Sequence, residues 1–191
     1  MTPAEAEVLA FWFGAPPLAS RAEWFRKDPA FDEAIRARFG QRVDDAIDGR
    51  LPAPDPADGA ETVLARLILL DQFPRNLFRG QARAFAGDPL ARALAIDLID
   101  RGGERALHPL QRWFVYLPLE HAEDLALQDR SVALFAALAA ETPGFDSALD
   151  YAERHRDVIR RFGRFPHRNV ALGRESTAEE QAYLATPGSG F

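Results

Sequence analysis

Apolar residues recur along most of the chain at intervals of three and four, the spacing that lays them along one face of an α-helix. Ile35, Phe39, Val43 and Ile47 step by four behind Asp28-Pro29, which reads as an N-cap followed by proline at the first helical position, and Gly49 closes the segment. Asp88-Pro89 repeats that opening, with Leu90, Leu94, Ile96 and Leu98 behind it and Gly102-Gly103 at its end. The same periodicity predicts helices over about 3–13, 60–73, 109–117, 118–141 and 146–162. Ser176 with Glu179 forms a capping-box pattern before a last short helix that ends near Pro187-Gly188. Alternating strand patterns bounded by tight hairpin turns are absent. The pattern predicts an all-α fold of seven or eight helices. Connections are short, so successive helices should pack as antiparallel pairs in a helical array. The longest break is 50–58, whose prolines predict an extended surface connection. Nothing there separates two cores, so residues 1–191 read as one helical domain.

Ionisable residues that fall on the apolar faces carry the chemical information. Leu64, Leu67, Ile68 and Asp71 share one helical face, so Asp71 ends a leucine stripe. A carboxylate there is costly unless it meets a cation or several donors, and Arg75 and Arg79 follow within reach. One reading makes Asp71 a structural partner of an arginine; the other makes it a site residue. His155 lies in the middle of the stripe Ala148, Ala152, His155, Ile159, Phe162. His121 and Gln128 join Leu125, Val132 and Phe135 on a third stripe. Pro118 suits a first helical turn, where Glu120, Glu123 and Asp124 would complement the helix dipole.

Two short stretches echo each other, LLDQFPRNLFRG at 69–80 and RRFGRFPHRN at 160–169. Each Phe-Pro should stop a helix, because proline lacks a donor and biases the residue before it away from helical torsions. Gly163 is the expected left-handed residue after the second of these helices. Phenylalanine would anchor each turn while Arg75, Asn76, Arg79, Arg164, His167, Arg168 and Asn169 present donors. Guanidinium forks match carboxylate or phosphate oxygens in pairs. The echo suggests two related corners facing one cleft.

Composition narrows the readings. Only Lys27 among the 23 basic residues is lysine, so arginine abundance carries no message and only arginine placement does. Over residues 151–175, seven arginines against Glu153, Asp157 and Glu175 leave a local excess of 7 − 3 = 4 positive charges on a chain of net charge −6. That local reversal calls for an anion, from the protein or from a ligand. The overall negative charge argues against phosphate backbones and anionic membranes as partners. Without cysteine there is no disulfide, thiolate metal site or cysteine nucleophile. The first residues lack a basic start typical of a signal peptide, and no apolar run reaches membrane-spanning length, so a cytoplasmic location is expected.

Several blocks are similar to a known family: LAFWFG at 9–14, WFRKDPAFD at 24–32, ILLDQFPRNLFRG at 68–80, AFAGDPLA at 84–91, YLPLEHAEDLALQ at 116–128, YAERH at 151–155 and RRFGRFPHRNVALGRESTAEEQAYL at 160–184. Over nearly its whole length the chain resembles a bacterial family designated domain of unknown function 924. The resemblance implies an all-helical fold similar to tetratricopeptide-repeat proteins in one compact domain, and it implies no activity.

The residues support three functional readings. In the first, a small phosphorylated or carboxylated molecule is held by Arg75, Asn76, Arg79, Arg164, His167, Arg168 and Asn169. His121, His155 or Asp71 would then be the acid–base candidate, and Asp71, Gln72, Glu120, Glu123, Asp124 and Gln128 the supporting network. In the second, those same carboxylates neutralise the arginines internally and the protein is a scaffold for a protein partner. The third is a metal-dependent hydrolase on His121, Glu123, Asp124 and His155, although the spacing matches no sharp metal motif. The first reading needs no metal or cofactor. No serine sits in a recognisable nucleophile elbow, and the oligomeric state is open.

Overall fold

Side-chain caps and prolines decide where the helices begin in the computed structural model, which describes residues 1–52, 54 and 58–190. Thr2 closes a capping box with Glu5 at the start of α1 (Pro3–Phe13). Asp28 accepts from the amides of Ala30 and Phe31 and opens α2 (Pro29–Ile47) with Pro29 in its first turn. The buried face of α2 is Ile35, Phe39, Val43 and Ala46. The predicted extended connection at 50–58 lies partly outside the described residues.

The next helix runs through its proline instead of stopping. α3 (Ala60–Leu67) passes into a π-helical turn (Ile68–Gln72) and then into α4 (Phe73–Leu77), with Pro74 in the first turn of α4. Phe73 keeps helical torsions and donates its amide to the Ile68 carbonyl, one residue further back than in an α-helix. A proline ring in an α-helix collides with the carbonyl four residues earlier, here that of Leu70. The wider turn spaces the ring from that carbonyl, and the Leu70 carbonyl packs closely against Gly87. A Cβ at Gly87 would lie 2.2 Å from the Leu70 oxygen, so glycine is needed there.

α5 (Asp88–Asp100) starts one residue earlier than expected, with Gly87 at its N-cap. Asp88 does not cap it, because its carboxylate is bound by Arg75. α6 (Pro109–Glu120) runs through Pro118, which does not open the following helix as predicted. That role falls to Asp124, whose carboxylate accepts from the Leu127 amide at the head of α7 (Leu125–Glu141). α8 (Asp146–Phe162) ends, as predicted, at a left-handed Gly163 with φ 68°. A capping box does open α9 (Ala178–Leu184), but it is Thr177 with Glu180. Ser176 accepts from Asn169 and Glu179 pairs with Arg161, which removes the predicted pair from capping.

With α3 and α4 taken as one interrupted helix, the described residues hold eight α-helices: α1, α2, α3–α4, α5, α6, α7, α8 and α9. They include no strand, so the fold is all-α, as the periodicity predicts. Two compact units can be distinguished, Met1–Arg79 with Arg83–Leu119, and Gly80–Ala82 with Glu120–Phe191. The first has an aromatic core in which Trp12, Trp24, Phe39, Phe73 and Phe114 are all buried. Trp24 donates to the Trp12 carbonyl there. In the second, α7 and α8 pack along each other, burying Phe135, Leu138, Ala148, Ala152 and Ile159. No helix among the described residues is long and apolar enough to cross a membrane.

The contact at Gly87 gives a direct test. Replacing Gly87 with alanine should lower stability by about 1–3 kcal/mol, as overpacking does. Urea denaturation should show this as a reduced midpoint with an unchanged slope.

Candidate functional site

In the first unit the π turn carries Asp71 and Gln72 inward, and Asp71 is 1% exposed at the end of its leucine stripe. Gln72 donates to its Oδ2 at 2.5 Å, and Arg75 Nη1 lies 3.0 Å from Oδ1. The same guanidinium donates to the Asp71 carbonyl at 2.7 Å and grips Asp88 with both terminal nitrogens, at 2.9 and 3.1 Å. Burial works against the Arg75 charge; the two carboxylates outweigh it, and its pKa is raised. Asn76 donates to Asp32 at 2.7 Å and Arg79 binds Asp32 through two nitrogens, at 3.1 and 3.0 Å. Arg75, Asn76 and Arg79 are therefore each engaged by carboxylates of their own unit, and Asp71 by a guanidinium four residues on.

The second Phe-Pro turn is held in a comparable way. After α8 the chain passes Phe165 into a 3-10 turn (Pro166–Arg168). Glu123 accepts from the Phe165 amide at 2.8 Å and from both terminal nitrogens of Arg174, at 2.7 and 2.9 Å. Burial raises the Glu123 pKa, but Arg174 and that amide together bring it below the ordinary value. Arg174 also donates to the Phe165 carbonyl and to Asn169 Oδ1. Arg164 clamps Glu180 at 2.6 and 2.8 Å and reaches the Glu175 carbonyl. Held by Arg164 and by the Thr177 amide, Glu180 is pushed down to about 2.

A different set of groups gathers behind this turn. His155 is 5% exposed, and its Nδ1 lies 2.8 Å from the Tyr151 carbonyl and 3.0 Å from Glu120 Oε1. Both neighbours are acceptors, which assigns the proton to Nδ1 and leaves the lone pair on Nε2. Burial, with repulsion from His121, Arg168 and His167, drives the His155 pKa down to about 2 despite the nearby carboxylate. The His121 and Phe165 rings lie 6.2 and 5.6 Å from that of His155, and the His167 ring lies 5.6 Å from Phe165. The buried Arg168 guanidinium sits 4.4 Å above the Phe165 ring. Gln128, fully buried on α7, donates to the carbonyls of Glu120 at 2.6 Å and Ala122 at 2.8 Å, tying down the turn that bears Glu120 and His121. Gln128 Oε1 and the buried Ser131 Oγ make no hydrogen bond among the described residues.

The structure thus sorts the predicted site residues into three groups. Asp71, Gln72, Arg75, Asn76 and Arg79 form one network in the first unit. Glu123, Arg164 and Asn169 form another in the second unit, and Asp124 acts as a helix cap. His155, His167 and Arg168 lie around Phe165, with His121 and Glu120 against His155 and Gln128 on the Glu120 carbonyl. Sequence reasoning missed Asp32, Asp88, Arg174 and Glu180, the partners of the predicted donors, and also Ser131. Asp32 lies in the first turn of α2 and Asp88 in that of α5, where acidic residues are expected whatever their partners. Arg174 stood among the seven arginines of the positive stretch, and nothing marked it apart. Among the described residues no group of three or more histidine, aspartate or glutamate side chains is arranged to hold a metal ion. Glu123 and Asp124, half of the predicted metal set, are committed to Arg174 and to the α7 cap.

An all-helical chain with buried guanidinium–carboxylate networks is the class of protein these observations define. The family model described as a bacterial protein of unknown function, DUF924, matches residues 8–188, and the chain belongs to that family. It is similar to a solved structure of a protein of unknown function from Agrobacterium tumefaciens, at 44% identity and a TM-score of 0.79. That match covers 95% of this chain and 96% of the other. No curated protein matches.

Two outcomes follow from these networks. Arg75→Ala should cost about 3–5 kcal/mol, since it leaves two carboxylates without their buried cation, whereas the more exposed Arg79→Ala should cost about 1 kcal/mol or less; thermal melts of the two variants measure the contrast. The second concerns pH. Native His155 stays neutral to about 2 while the unfolded side chain takes a proton near 6.5, so its contribution is complete above 6.5 and erodes as pH falls below that. The Glu180 contribution is complete above 4.5 and is lost on the way down to about 2. Urea midpoints should therefore begin to fall just below 6.5, and His155→Asn should flatten the stretch above 4.5 while leaving the acid limb.

Proposed function

We propose that this protein binds a small carboxylated or phosphorylated molecule in its second unit, where His155, His167 and Arg168 lie around Phe165 and His121 lies beside His155. The observation that carries the reading is this gathering itself: two imidazoles and a buried guanidinium around one ring, with a third imidazole and Glu120 beside His155. Such a set offers hydrogen-bond donors to an anion in a site of low polarity, where each bond is stronger than in water. Support comes also from Gln128 Oε1 and Ser131 Oγ, because buried polar atoms are ordinarily satisfied and a polar guest would satisfy them. His155, neutral and with its Nδ1 proton directed at Tyr151 and Glu120, would accept a hydrogen bond at Nε2 from a hydroxyl or protonated group of the guest, and Arg168 would supply the charge. Arg75, Arg79, Arg164 and Arg174 are then structural, each occupied by a carboxylate of its own unit.

Those occupied arginines favour a second reading, in which the whole polar set locks the order of the helices in a protein-binding scaffold. Calorimetric titration with inorganic phosphate and with citrate separates the two. Arg168→Gln should weaken binding of the better ligand by about 1.5–3 kcal/mol, the worth of a charged hydrogen bond. A large loss of stability with no anion bound by either form would favour the scaffold.

A further inference from the structure

A cavity of about 300 Å³ opens in the second unit between the end of α8, α9 and the 186–189 turn, and it contains none of the residues of the His155 cluster. Its floor is aromatic: the rings of Phe162 and Tyr183 lie 5.1 Å apart, inclined by 50°, and pack against Val158, Ile159 and Phe165. The Arg161 guanidinium sits 4.7 Å over the Phe162 ring. The rim carries an acceptor and donors together. Arg160 binds Oδ1 of Asp157 at 2.9 Å, and Asp157 Oδ2 accepts no hydrogen bond among the described residues. Arg161 gives its Nε to Glu179 at 2.8 Å, while its terminal nitrogens and the Tyr183 hydroxyl donate to nothing among the described residues.

Charge around this cavity gives no welcome to an anion. Over residues 150–161 with the two carboxylates that pair with them, Asp129 and Glu179, four arginines stand against five carboxylates, and 4 − 5 = −1. Each of those arginines is engaged. Arg154 lies 4.8 Å over the Tyr151 ring, Arg156 and Arg160 face Asp129 at 3.9 and 3.8 Å, and Arg161 holds Glu179.

We propose that this cavity binds a neutral purine ring, as the free base or as its nucleoside. The volume lies at the lower end of the range of small-molecule sites, enough for one fused ring with a sugar left at the opening. Purines stack on aromatic faces and on guanidinium planes, and the floor supplies both kinds of surface. A purine also carries N–H donors and ring-nitrogen acceptors around one flat edge. Asp157 Oδ2 would accept from the former, and Arg161 and Tyr183 would donate to the latter. Burial raises the Tyr183 pKa against the opposing influence of Arg154 and Arg161, so its phenol keeps the proton it would donate. A simple hydrocarbon ring would leave these rim groups unmet, and a phosphate group would add negative charge where none is balanced.

The test uses the full chain with adenine and adenosine as probes and with adenosine monophosphate and benzoate as anionic controls, read by amide chemical shifts. Both probes should shift amides of 158–162 and 183–189 and leave those of 165–169 in place. Adenosine monophosphate should bind more weakly than adenosine, and benzoate should move none of these amides. Tyr183→Ala should weaken adenosine binding by at least about fivefold, the low end for one base–aromatic stack. Asp157→Asn, at a side chain 64% exposed and so of little weight in the fold, should weaken it by roughly tenfold. Absence of shifts with both probes, tighter binding of the monophosphate than of adenosine, shifts centred on 165–169, or an adenosine affinity indifferent to both variants would each overturn the assignment.

Discussion

A carboxylate buried at the end of a leucine stripe has to be met by a cation, and in the first unit much else follows from how that is done. Asp71 is held by Arg75, and Arg75 in turn holds Asp88, so one guanidinium ties the helix bearing Asp71 to the first turn of α5. Arg79 and Asn76 do the same for Asp32 in the first turn of α2. The planar five-donor fork of arginine makes this economy feasible, since it can bond a carbonyl and two carboxylates at once. A lysine at 75 could not reproduce that geometry. The near absence of lysine from the chain, uninformative as a count, becomes meaningful at such positions.

The second unit solves the same problem with its carboxylates as the hubs. Glu180 receives Arg164, Asn169 and the Thr177 amide, and Glu123 receives Arg174 and the Phe165 amide. Those two hubs immobilise the turn from Phe165 to Asn169 from both sides. His167 and Arg168 are thereby mounted on a rigid element, the condition a binding site requires of its donors. His155 stands on α8 behind them, deprived of its charge by the surroundings that bring them together.

Much of the fold was legible in the sequence because it rests on local signals. Asp28-Pro29 opened a helix and Gly163 closed one where their chemistry predicts, and the stripes ending in Asp71 and centred on His155 were buried as spaced. The misses share a cause: a residue with a good local role was taken by a distant partner. Asp88 left its cap for Arg75, Ser176 left its box for Asn169, and Pro118 stayed inside a helix because Asp124 opened the next one. The candidate site was legible to a similar degree. The donors could be picked out by type, and Asp71 beside Arg75 by spacing, but their other carboxylate partners lie 11 to 47 positions away in the chain, and no local pattern announces such pairings. Phe73-Pro74 shows the limit most clearly, since a stop signal of real strength was overridden by a change in helix type.

That change has an evolutionary and engineering consequence. A π turn carries one residue more than the α ladder would use, so every side chain beyond it is rotated by about 100° relative to an uninterrupted helix. The extra residue therefore acts as a phase shifter, and the orientation of Arg75 towards Asp88 depends on it. Removing a single residue from 68–70 would bring back the collision at Pro74 and point the guanidinium fork away from Asp88. The position of the Arg75 fork thus depends on chain length in this stretch as well as on residue identity.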